Sequence, residues 1–93
     1  MLPSFVMTRE EIITALTSEY LEEVNGVKDY VKMIKGIEAQ DPHHKFLPYL
    51  RAIVKDEYTH QKYIYKMLVE MDAFVPANIY KAMKEVKESY ESL

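Results

Sequence analysis

Cysteine is absent from the 93 residues, which removes disulfides, thiolate metal sites and iron–sulfur clusters and fits a cytoplasmic protein. Tryptophan is missing too, and glycine occurs only twice, at 26 and 36, against eight tyrosines and six methionines. With 48% hydrophobic and 29% charged residues, such a chain favours helix. No apolar run approaches the ~18 residues of a membrane span, and the opening MLPSFVMT lacks the basic start and apolar length of a signal peptide. A soluble, unprocessed protein with no membrane partner is therefore predicted. Neither sign of charge is concentrated: the net charge is -3, and lysines from Lys28 to Lys87 are interleaved with acids. Nucleic-acid binding, which needs a clustered basic face, is not expected. At this length the chain is a single domain, residues 1–93, too small to enclose a buried active site unaided. Oligomerisation is the natural remedy.

Thr8, followed three residues later by Glu11 and then by Ile12 and Ile13, has the form of a capping box and starts a helix. Ile12, Leu16, Tyr20, Val27, Tyr30, Ile34 and Ile37 repeat at spacings of three and four, interrupted at Glu23. This first helix is predicted over about 9–39. QDPHHK, residues 40–45, then forms a turn, because Pro42 donates no backbone hydrogen bond and biases Asp41 away from helix. A second helix, over about 45–71, carries Leu50, Ile53, Ile64, Met67 and Met71 on its stripe, with Glu57 and His60 in the two remaining register positions. Val75 and Pro76 mark a break, and a third helix over about 76–92 has an apolar stripe of Ile79, Met83, Val86, Tyr90 and Leu93. The expected fold is all-α: a long antiparallel helical hairpin plus a short C-terminal helix. Two long striped helices make half of a four-helix bundle, and a second copy of the chain supplies the other half.

The three polar interruptions are the candidate site. Burying a lone carboxylate or imidazole is costly unless it is paired or bound to a metal. Glu57 and His60 stand at i and i+3, so a carboxylate oxygen and an imidazole nitrogen converge from one helix face. Glu23 and Glu57 lie equally far from the turn, about 17 residues or roughly 25 Å at 1.5 Å per residue, and so face one another across the hairpin. Both are near mid-helix. A two-fold axis at that height brings two half-sites together, giving four glutamates and two histidines, enough for two metal ions with Glu23 as terminal ligand and Glu57 as bridge. Four carboxylates balance two divalent cations.

With these residues in place, the sequence resembles the ferritin-like di-iron carboxylate proteins, which include ferritins, bacterioferritins and rubrerythrins. Their ligand set is a Glu from each of two helices and a Glu-x-x-His from each of the other two. Here Glu23 is the single glutamate and Glu57-Tyr58-Thr59-His60 the Glu-x-x-His, and the 34-residue gap between the glutamates is similar to that of the family. Tyr30, seven residues after Glu23, matches a tyrosine that recurs near the metals and would act as a hydrogen-bond partner behind the ligands. The resemblance covers residues 9–71 and one of the family's two helix pairs. It implies a homodimer, or a higher dimer-based oligomer, with two iron ions per dimer, manganese or zinc being alternatives that the donor set does not exclude. The activity implied is a ferroxidase or a peroxide- or dioxygen-reducing oxidase. With no cysteine-rich electron-transfer site in the chain, any redox partner is external. A 24-subunit shell or mineral core is not expected.

Other residues carry weaker signals. Glu19, one turn before Glu23, and Glu22, immediately before it, are either additional carboxylate or entry-site ligands or solvated side chains, the commoner state of glutamate. His43 and His44 are read as surface residues of the turn. Gly26, one turn after Glu23, costs about 1 kcal/mol in a helix interior relative to Ala and is either tolerated or needed for close packing beside the site. The rival reading of the whole chain is a metal-free helical dimerisation or protein-interaction module.

Overall fold

The computed structural model of the protein describes residues 6–71 and 77–93. Three helices account for nearly all of them: α1, Arg9–Gln40; α2, Leu47–Glu70; and α3, Ala77–Glu91. The Val75–Pro76 break and a helix start at 76 lie outside the described residues. None of the described helices is long and apolar enough to cross a membrane.

The first helix begins as its sequence dictates. Thr8 is extended, and its hydroxyl accepts the Glu11 backbone N–H at 3.1 Å, while Glu10 and Glu11 place negative charge at the positive end of the helix dipole. At the far end Asp41 leaves the helix in an extended conformation, as expected of a residue before proline. Its carboxylate accepts the His43 N–H at 3.0 Å, and His44 Nδ1 accepts the Phe46 N–H at 3.1 Å, so side chains satisfy the backbone of the turn. Pro48 then sits in the first turn of α2, where its missing N–H costs nothing.

The turn folds α2 back along α1. Near it, Arg51 pairs with Glu38; at the open end, the Arg9 guanidinium donates to the Met71 carbonyl at 2.7 Å. α3 packs on one flank of this hairpin. It bonds to α1 through Lys28 and Glu85 at 3.1 Å and stacks Tyr90 on Tyr58 of α2, ring centroids 4.1 Å apart. The shared core is Tyr20, Val24, Val27, Val31 and Ile34 of α1, Leu47, Val54 and Ile64 of α2, and Ile79, Ala82 and Val86 of α3.

This packing revises the stripe reading. Val24, Val31, Val54, Gln61 and Leu68 are buried, whereas Ile53 and Met67 are 40% and 42% exposed. The reason is that α1 has two partners, so its buried arc widens toward α3 to include Val24 and Val31, and that of α2 turns the same way. What is left, among the described residues, is a flank on the opposite side of the hairpin that α3 does not cover. The chain is accordingly thin, 59 × 28 × 15 Å with a radius of gyration of 16.3 Å, where a compact domain of this length has about 12 Å.

A candidate metal half-site on the open flank

Glu57 stands opposite the Glu23–Gly26 turn of α1, as the equal distances from the hairpin turn require. A β-carbon built on Gly26 would lie 2.6 Å from Glu57 Oε2 and 3.2 Å from its carboxyl carbon. The carboxylate therefore occupies a space that glycine leaves open on the surface of α1. Glu57 Oε2 is fully buried there and has no hydrogen-bond partner among the described residues. Its acidity reflects this: burial first, then the charge of Glu23, raise the Glu57 pKa above the ordinary 4.5, with Asp29 adding to the rise and His60 opposing it. That the Glu23 charge reaches Glu57 places the two helices' carboxyl groups in one electrostatic neighbourhood.

The burial of the candidates differs from their expected inward placement. Within one chain Glu23 and Glu57 are half-buried and His60 is exposed. They lie along the rim of the hairpin because α3 draws the core to the other side. Tyr30 is half-buried and packs against the core cluster from the same rim. Met33, 49% exposed, continues the rim on α1, and Ile53 and Met67 flank Glu57 and His60 on α2. Among the described residues, no three Asp, Glu or His side chains of a single chain come together as a metal-binding group. Glu19 and Glu22 are exposed, and His43 and His44 belong to the turn, at the end of the hairpin.

Three buried or packed polar residues were not singled out as such by the sequence. Tyr20 is completely buried, its hydroxyl has no partner among the described residues, and desolvation with the neighbouring Tyr65 and Tyr58 pushes its pKa up to about 12. Gln61 is 3% exposed and donates from Nε2 to the Tyr58 carbonyl at 2.9 Å. Tyr58 lies between Tyr90 and the Lys62 ammonium, which sits 4.6 Å from its ring centre. Gln61 and Tyr58, together with Tyr65 and Met83, line a groove on the α3 side of α2, away from the Glu57–His60 rim. Tyr20 already stood on the apolar stripe of the first helix; the signal for Tyr58 and Gln61 is the i, i+3/i+4 continuation of Val54 through them to Tyr65 and Leu68, which polar side chains obscure.

No protein-family model, curated protein or solved structure matches the chain. What fold and geometry define is an all-α helical hairpin with a third helix on one flank and a carboxylate-rich rim on the other.

Proposed function

We propose that two copies of the chain pair through the open flank, forming a ferritin-like four-helix bundle, and hold two iron ions between them. The ligands are Glu23, Glu57 and His60 of each copy, and Tyr30 is a hydrogen-bond partner behind them. The observation that carries this reading is Glu57 Oε2, a buried carboxylate oxygen without a donor, on a flank where Glu23 and His60 are its charged neighbours. Such an oxygen is expensive to keep unless a cation or proton completes it. The donor set of carboxylates and one imidazole per metal suits iron, and also manganese or zinc.

Iron held this way would supply one-electron chemistry toward dioxygen or peroxide, as a ferroxidase or oxidase needs. The chain's own contribution is positional. α1 and α2 bring Glu23 and Glu57 to the same height, the Glu-x-x-His spacing aims Glu57 and His60 from one helix face, and closing the flank excludes water from the charged groups. Electrons beyond those of the metals come from an external partner.

The test is metal content after anaerobic iron loading, with the oligomer measured in parallel. Two iron ions per dimer are expected in the wild type and a loss of that iron in Glu57→Ala; equally little iron in both overturns the reading. A second reading, a metal-free helical dimerisation module, is favoured by the exposed Met33, Ile53 and Met67, an apolar rim that association alone would bury. It predicts the same dimer with no iron in either protein.

A further inference from the structure

We propose that Gly26 is a positioning residue, a glycine kept for the site and against the stability of its helix, because only the absence of a side chain there lets the Glu57 carboxylate seat itself against α1. The inference deepens the reading above and rests on it for the metal, but its geometric half stands on the two glycines of α1 alone.

Gly26 and Gly36 are both interior to α1, and both weaken it relative to alanine. Their surroundings differ. At Gly36 an added β-carbon would meet nothing within 4 Å, so that glycine has open space beside it. At Gly26 the added atom would overlap Glu57 Oε2, and its next contacts, at 3.2 and 3.5 Å, are also atoms of the Glu57 carboxyl group. The three nearest neighbours of the missing side chain thus belong to one candidate ligand.

The obstructed group is the free end of a flexible side chain, so alanine at 26 does not prevent folding. It expels the carboxylate from its slot. Expulsion returns Oε2 to water and relieves its unpartnered burial, so the substitution stabilises the metal-free protein twice over, through helix propensity and through solvation. What it removes is the fixed direction in which Glu57 presents its oxygens beside Glu23 and His60. A ligand displaced by about an ångström loses the convergence that chelation needs.

The experiment compares wild type, Gly26→Ala and Gly36→Ala, with Co(II) as the metal probe. In metal-free protein, Gly36→Ala should raise Tm by about 4–8 °C and Gly26→Ala by at least as much. The Glu57 carboxyl-carbon NMR resonance should move in Gly26→Ala and stay in place in Gly36→Ala. Co(II) affinity should fall ~10- to 100-fold in Gly26→Ala, with a changed visible absorption spectrum, and be unaltered in Gly36→Ala. An unmoved Glu57 resonance in Gly26→Ala overturns the slot. Unchanged Co(II) affinity and spectrum in Gly26→Ala overturn the positioning role. If wild type takes up no Co(II), the metal reading fails and takes that role with it, while the NMR comparison still decides whether Gly26 seats Glu57.

Discussion

Replacing Glu57 by glutamine keeps its shape and removes its charge, and the proposed site predicts opposite signs for the effect with and without metal. In metal-free protein the Glu57 carboxyl group keeps its Oε2 buried without a donor among the described residues and close enough to Glu23 to feel its charge. An unsatisfied buried polar group costs about 1–3 kcal/mol. Glutamine leaves an amide in the same slot, so the recovery belongs in the lower part of that range, about 1–2 kcal/mol, or roughly 4–8 °C in Tm per kcal/mol for a domain of this size. The pH dependence follows from the direction of the Glu57 shift. Its folded-state pKa lies above 4.5, so the folded protein binds the proton more tightly than the unfolded chain. Below 4.5 both states are protonated and the penalty is absent; it builds as pH rises from 4.5 through the folded value and is complete above it. Glu57→Gln should therefore melt above wild type at pH 7 in chelator and together with it at about pH 3.5. If the proposed site binds metal, the order should reverse: at 100 times its Kd the metal would stabilise wild type by about 2.7 kcal/mol and the variant by little. Thermal unfolding followed by circular dichroism at fixed protein concentration reads all three conditions. A variant no more stable than wild type at pH 7 in chelator would refute the account of Oε2, and an advantage that persists at pH 3.5 would refute its electrostatic origin.

Ile53→Lys puts a charge in the middle of the uncovered rim. Size-exclusion chromatography with light scattering should find wild type at twice the 11.0 kDa chain mass and the variant at the single-chain mass, with the helical content of both alike. If Ile53→Lys remains dimeric, the open flank is not the contact. Tyr20→Phe removes a buried hydroxyl that has no partner and retains the ring beside Tyr65, so it should raise stability by about 1 kcal/mol in denaturant unfolding; a loss would mean that the hydroxyl is satisfied in solution.

The helices were legible in the sequence because their ends are written in local chemistry. Thr8 and Glu11 mark the start of α1 and Pro42 its end, and the expected spans of 9–39 and 45–71 compare with Arg9–Gln40 and Leu47–Glu70. The pairing height of Glu23 and Glu57 was legible too, since a tight turn fixes the register of the helices it joins. The rotation of each helix was harder to read. A three-and-four pattern finds a stripe but not how many neighbours share it, and α1 packs against both α2 and α3. Val24 and Val31 were passed over because the polar interruption at Glu23 drew the reading one position toward the rim. On α2, Ile53 and Met67 of the expected apolar line are exposed in a single chain while Ile64 is buried, and the line facing the core runs from Val54 through half-buried Tyr58 and buried Gln61. No propensity rule could have revealed the slot beside Gly26, because it exists only where two helices meet.

The thinness of the chain bears on how a metal would arrive. A site enclosed within one domain needs a tunnel, a gate or a moving loop for ions to reach it. A slab 15 Å deep that carried half of the proposed ligands on its face would need none of these. Under the proposed pairing, ions would first meet the exposed His60 and the half-buried Glu57 from bulk water while the copies are apart, and the pairing event itself would become the door that shuts behind them. Loading and assembly would then be one process, set by protein concentration as much as by metal supply.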